Sequence, residues 1–221
     1  MSKIERRFLN IPGTGAEIVE RANGVGPCIR GYAAVFHREG EAGTEFRMMD
    51  DVAERIAPGA FDRTLKSADV RGAFNHDPSM ILGRTTAGTL RLGTDSRGLW
   101  YEIDPPDTTA GRDAMALIKR GDVTGSSFAF VPKSTTYSRS NDGTVVITRN
   151  DVDLIDVGPV TFPAYEGTST GIRSLGGDME DEIEKARAET LPKMSRGSEA
   201  FKALARAIGL EMELVSVSTE G

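Results

Sequence analysis

Ser127, His76 and Asp156 are residues whose types could together carry a covalent hydrolysis. A serine hydroxyl is a weak nucleophile at neutral pH unless a base takes its proton. Histidine suits that task because its ordinary pKa lies near neutrality. A carboxylate can hold the imidazole in the required tautomer and stabilise its charged form. Ser127 lies in the run Gly121 to Phe130, which reads as the start of a strand. Side chains alternate faces along a strand, so Phe128 and Phe130 share one side while Ser127 and Ala129 share the other. His76 stands in Asn75-His76-Asp77-Pro78. The bias that proline imposes on the preceding residue places this histidine at the end of an extended piece, Val70 to Asn75. Asp156 lies in the extended stretch from Asp151 to Phe162, where alternation groups it with Leu154 and Gly158. A carboxylate among apolar neighbours is costly unless partnered.

Spacing alone does not bring the three together, and plainer readings stand beside the chemical one. A strand serine commonly bonds to backbone. Asp77 reads as a turn former before Pro78. Arg84 could stabilise an oxyanion, though a surface salt bridge is the simpler reading. Asp153 competes with Asp156. Gly125-Ser126-Ser127-Phe128-Ala129 nearly matches the Gly-x-Ser-x-Gly elbow, but that elbow requires a turn into a helix after the serine. Here a strand-like run follows, which disfavours an α/β-hydrolase.

The elements that must position these residues are short. Ile29 to Phe36 reads as a strand, with Gly31 marking a bulge or close approach. Ala57 to Leu65 reads as a short helix opened by Pro58, with Ile56, Ala60, Phe61 and Leu65 as its apolar stripe. Ile81–Thr85 and Thr89–Gly93 flank Ala87-Gly88 as a hairpin-like unit, and Leu99 to Ile103 follows a turn. Ala110 to Arg120 reads as a helix capped by Thr109 and stopped by Gly121. Val131 to Tyr137, the turn Ser140-Asn141-Asp142-Gly143 and Val145 to Thr148 continue the strand pattern. Trp100 reads as core. Strands do not alternate regularly with helices, so a parallel doubly wound sheet is disfavoured. The pattern points to an α+β protein: a mostly antiparallel barrel or sandwich with attached helices.

Residues 1–25 read as an N-terminal extension or edge strand, 26–174 as the main domain and 175–221 as a helical tail. Gly176-Gly177 is the break. A charged helical segment follows from Met179 to Glu189, and then a helix capped by Ser198 with Phe201, Leu204, Ala205 and Ile208 aligned. At 221 residues and a formal charge of −6, with no basic cluster, a nucleic-acid-binding body is disfavoured. The single cysteine, Cys28, excludes an intrachain disulfide and a cysteine-based zinc site. Two histidines, His37 and His76, exclude a three-histidine metal site. No signal peptide or bilayer-spanning run is evident, so a soluble protein in a reducing cytoplasm is expected.

An ordered set of pieces resembles the prohead proteases of tailed bacteriophages, in the group typified by phage HK97. They are Gly31 to Phe36, Ile56 to Phe61, Asn75-His76-Asp77, Leu82 to Thr85 and Ala87 to Leu90. Arg97-Gly98-Leu99, Gly121-Asp122-Val123, Ser127 to Phe130, Asp156-Val157 and Val160 to Tyr165 complete it. The set covers roughly two thirds of the chain, from about Ile29 to Ser174. The resemblance places the family's histidine on His76 and its nucleophile on Ser127. Its third position, commonly glutamate followed by Val-Ser, falls on Asp156-Val157-Gly158. The family usually has glycine where this chain has Ala129.

The resemblance implies a β-barrel with surrounding helices, like herpesvirus assembly proteases. It implies a serine endopeptidase that needs no cofactor or metal and works in the host cytoplasm, inside the assembling prohead. Its partners would be scaffold and the N-terminal region of the major capsid protein, with self-trimming and a homo-oligomer as further expectations. No nucleic acid or membrane partner is implied. Two rivals stand beside this reading: a non-enzymatic scaffold or capsid-binding barrel, kept alive by Ala129 and Asp156, and an esterase using the same serine.

Overall fold

A computed structural model of the chain describes residues 4–9, 13–21, 26–161 and 177–191. In chain order the strands are β1 (Glu5–Leu9), β2 (Glu17–Val19), β3 (Cys28–Val35), β4 (Phe46–Met49), β5 (Val52–Ile56) and β6 (Arg71–Ala73). After these come β7 (Ile81–Arg84), β8 (Leu90–Thr94), β9 (Gly98–Ile103), β10 (Gly125–Arg139) and β11 (Val145–Val160). The helices are α1 (Thr109–Arg120) and α2 (Gly177–Glu189). One sheet has the order β1-β10-β11-β5-β4, with β6 joined to β11 and β7 to β6; the other is β2-β3-β9-β8.

The described strands do not close into the expected antiparallel barrel, and the larger sheet is mixed. The reason is the length of β11, whose 16 residues take several partners. One side pairs antiparallel with β10. The other pairs in parallel first with β5, at Val145–Arg149, and then with β6, at Asp156–Val157.

The main apolar cluster draws on both sheets: Ile29, Ala34, Leu99 and Ile103 from one, Phe128, Phe130, Leu154 and Val157 from the other. Phe61 meets Phe128 edge-on at 5.7 Å, and Phe128 stacks on Phe130 at 5.0 Å. Gly31 is a close-approach glycine, because a Cβ there would lie 2.7 Å from both Ser126 Oγ and Tyr101 Oη. Those two hydroxyls hydrogen-bond at 2.8 Å across the interface. Cys28 is fully buried and unpaired.

Several local expectations change. Residues 58–63 form turns, and only Thr64–Lys66 closes as a 3₁₀ turn, so the expected helix after Pro58 does not form. Ile56, Ala60 and Phe61 are nevertheless buried and Leu65 is half-buried, so the apolar positions pack inward without a helical period. Strands β7 and β8 do not pair with each other; β7 joins β6 and β8 joins β9, one in each sheet. Trp100 is half-buried and covers Gly93 rather than filling the core. Helix α1 starts one residue early, so Thr108 and not Thr109 is its cap, the Thr108 hydroxyl accepting from Gly111 N–H at 3.3 Å, and it ends at Gly121 in the left-handed region at φ 82°.

Residues Met1–Glu189 make one compact unit. Within it, the segment read as the opening of the tail forms α2. Its Met179, Ile183 and Ala186 are buried with Met48, Val52, Val145 and Ile147 in a second cluster. Phe162–Tyr165, Ser174, Gly176 and the helix read after Ser198 lie outside the described residues.

Candidate active site

Ser127 sits in the middle of a continuous strand, paired with Gly158 on one side and Phe8 on the other. It is fully buried. Phe128 and Phe130 point into the core, which directs Ser127 to the opposite face of the sheet.

Asp156 reaches that face through an irregularity. The β10–β11 register shifts between the pairs Ala129–Asp156 and Phe130–Leu154, leaving Ile155 as the extra residue. Such a bulge turns one side chain relative to the next. Leu154 therefore joins the core cluster with Phe130, and Asp156 shares a face with Ser127. Simple alternation put Leu154 and Asp156 together, and the bulge separates them.

His76 does not end a strand. Strand β6 stops at Ala73, and Phe74–His76 form a tight turn in which Asn75 (φ 53°) and His76 (φ 57°) both adopt left-handed backbone. Asparagine and histidine tolerate this region better than most residues. The turn is clamped from outside: Thr161 N–H donates to Asn75 Oδ1 at 2.8 Å, and Asn75 Nδ2 donates to Thr161 Oγ1 at 3.0 Å. Strained backbone held by its surroundings is characteristic of functional sites. Gly158 completes the placement. A Cβ there would lie 2.1 Å from the Ala73 carbonyl oxygen, so only glycine lets β6 run this close to β11 opposite Ser127.

The result brings all three residues together. His76 Nδ1–H donates to the Asp156 carboxylate, which can only accept. In the neutral ring this leaves Nε2 as the acceptor, 2.5 Å from Ser127 Oγ. Asp153 is elsewhere, 2.6 Å from Arg63 Nη2 and 2.8 Å from Lys133 Nζ. Arg84 is forked onto Asp69 at 2.8 and 2.5 Å, the surface pair expected of it. Asp77 accepts from Ser79 N–H at 2.8 Å, as a turn former does.

A cleft of about 450 Å³ reaches His76 and Asp156 between Ala73, Pro78, Ile81 and Ile155. A larger, open hollow of about 860 Å³ lies along the loop from His37 to Glu45 and contains none of the three residues. Ser127 lines neither. Beside it in the sheet runs β1, and the Ser127 hydroxyl lies 2.8 Å from the Arg7 carbonyl oxygen, a second acceptor for its one proton. Of the charged side chains of β1, Arg7 is buried, Glu5 is half-buried and Arg6 is exposed. Arg7 pairs with Glu54 through Nε and through Nη2 at 2.8 Å, and Nη2 reaches Glu5 at 2.6 Å. Arg149 bonds Glu54 at 2.7 Å and forks onto Glu182 of α2 at 2.6 and 2.8 Å. Burial would raise the Glu54 pKa, but Arg7 and Arg149 outweigh it and hold the carboxyl down to about 2. The chain read for motifs gave no notice of this network. Its one signal was a glutamate among Val52, Ala53 and Ile56 in a strand.

The family model described as Caudovirus prohead serine protease matches residues 16–181. No curated protein matches the chain. Among solved structures, the bacteriophage T4 capsid assembly protease superposes with a TM-score of 0.46 at 14% identity, over 73% of this chain and 98% of that one.

Proposed function

We propose, from the premise that the chain belongs to the Caudovirus prohead serine protease family, that it is a serine endopeptidase of phage capsid maturation. Its substrates are scaffold and the N-terminal region of the major capsid protein, inside the assembling prohead. The observation that carries this reading is the His76 ring, bonded through one nitrogen to Asp156 and through the other, at 2.5 Å, to Ser127 Oγ.

The steps follow from that geometry. His76 Nε2 takes the Ser127 proton as Oγ bonds to the substrate carbonyl carbon. Asp156 holds Nδ1–H and balances the imidazolium. The C–N bond then breaks, and the proton on Nε2 passes to the leaving amine. Water, deprotonated by the same nitrogen, cleaves the acyl ester and returns the proton to Ser127. No step draws on a metal or cofactor.

The full burial of Ser127 supports a second reading, a latent or non-enzymatic capsid-binding relative. Co-expression with the capsid protein separates the two. The wild-type chain should shorten the capsid protein by intact mass, and Ser127→Ala should lower the rate by about 10⁶-fold while particles still form. Full-length capsid protein with both chains would favour the non-enzymatic reading. Self-trimming of the segment after Ser174 belongs to the same proposal, and an intact C-terminus in mature particles would remove it.

A further inference from the structure

Strand β1 occupies the place on β10 that an extended substrate would take. A peptide cleaved by a strand-borne nucleophile gains its main-chain bonds by adding to the free edge of that strand. Here that edge is filled: Glu5, Arg6, Arg7 and Phe8 pair with Phe130, Ala129, Phe128 and Ser127 in antiparallel register. The carbonyl nearest the nucleophile is that of Arg7, whose oxygen accepts from Ser127 Oγ at 2.8 Å.

The Arg7 side chain then enters a site shaped for it. It is 3% exposed. Its guanidinium is forked by both Glu54 oxygens. It lies 5.2 Å from the centre of the Phe130 ring and 5.8 Å from that of Phe46, within the range of cation–π attraction. If β1 leaves, Glu5 and Arg7 leave with it. Two buried or half-buried carboxylates, Glu54 and Glu182, then face one guanidinium, Arg149. Glu54 Oε2, bonded only by Arg7 Nε among the described contacts, is left aimed into the vacancy. A buried carboxylate without its partner is costly, so the vacated site favours a cation. Its forked acceptor and aromatic walls suit planar guanidinium better than ammonium.

We infer that Glu54, Phe46 and Phe130 form a specificity pocket for an arginine on the N-terminal side of the scissile bond, and that Arg7 fills this pocket in cis as a tethered substrate mimic. The inference rests on the peptidase reading for its function but is tested by binding as well. In the full chain, Arg7→Asp puts a carboxylate beside Glu54 and expels β1. With Ser127→Ala also present, a labelled Glu-Arg-Arg-Phe-Leu peptide should bind at least tenfold tighter than Glu-Arg-Ala-Phe-Leu. The Ser127→Ala chain that retains Arg7 should bind both at least tenfold more weakly. Equal affinity for the two peptides overturns the pocket, and equal binding to the chain that retains Arg7 overturns the occupancy. If circular dichroism shows that Arg7→Asp does not fold, Arg7→Ala carries the same comparison. With Ser127 intact, the expelled-strand variant should cleave the arginine peptide with a kcat/KM at least tenfold above the alanine one. Cleavage without that preference overturns the pocket and leaves the peptidase standing. Arginine-selective binding without cleavage of either peptide supports the pocket and counts against the peptidase.

Discussion

Gly158→Ser should pull His76 away from Ser127 and Asp156, and Asp156→Glu should partly offset the loss by reaching the displaced ring. Gly158 faces Ser127 across the β10–β11 ladder. A Cβ at 158 would lie 2.1 Å from the Ala73 oxygen, with Ala73 C and N at 3.1 and 3.2 Å. Contacts under 3.0 Å are essentially never seen, and the obstacle is backbone, so Ala73 must retreat by about 1 Å. Ala73 ends β6 and leads directly into the turn that carries His76. A 1 Å retreat stretches the 2.5 Å Ser127–His76 contact beyond hydrogen-bond reach. Misplacement on that scale costs about 100-fold in rate, or about 2.7 kcal/mol of barrier. The resembled family commonly has glutamate, valine and serine where this chain has Asp156, Val157 and Gly158. Its acid is longer by one carbon–carbon bond, about 1.5 Å, and it carries bulk where this chain has none. The two differences have similar size and opposite effect: glycine brings the histidine inward to meet a shorter acid.

The assay is kcat/KM on a peptide spanning a mapped capsid cleavage site, for both single variants and the double. Each single variant should lose about 10- to 100-fold. The double should keep at least tenfold more activity than the product of the two losses predicts, a coupling of about 1.4 kcal/mol. Melting curves check that all three fold. Strictly multiplicative losses in folded proteins would refute the compensation, and an unimpaired Gly158→Ser would refute the close approach itself.

Three further outcomes are expected. The Glu54 pKa falls from 4.5 to about 2 on folding, so its contribution is present above about pH 4.5 and lost as pH falls toward 2. The shift corresponds to about 3 kcal/mol. Burial raises Glu5 against the attraction of Arg7 and Arg149, which works in the opposite sense and blunts the slope. Urea midpoints between pH 6 and 2 should drop steeply in wild type and less in Glu54→Gln; parallel curves would count against the network. Asn75→Ala removes both bonds to Thr161 and a residue suited to left-handed backbone. It should lower kcat by at least about tenfold with KM little changed, and Asn75→Gly should recover less than half the loss in log kcat if the clamp matters more than the backbone. Gly121→Ala meets no atom within 4 Å but forces alanine to φ 82°, so it should cost about 1 kcal/mol in chemical denaturation and leave the site untouched.

The residue types alone nominated Ser127 and His76 but left the acid open between Asp156 and Asp153. Serine, histidine and an acid in strand-like settings, two histidines in all and one cysteine left little else for a covalent hydrolysis. Alternation also determined that Phe128 and Phe130 go inward and Ser127 outward, because the period of a strand is local. The helix read from Ala110 to Arg120 was legible for the same reason, its glycine stop lying within one turn of it, though its cap is Thr108 and not Thr109. Contacts between distant segments decided the rest. The extra residue at Ile155, which separates Asp156 from Leu154, exists only against the register of β10. The turn at His76 is set by Thr161, 86 positions beyond Asn75. The open architecture follows from β11 accepting β5 and β6 in parallel, a pairing that no local pattern encodes. The seating of Arg7 on Glu54 joins residues 47 apart, and it takes the folded sheet to show that the strand over Ser127 is the chain's own. Periodicity and caps are properties of a few consecutive residues, whereas register, strand partners and buried ion pairs are chosen by the free energy of the assembled fold.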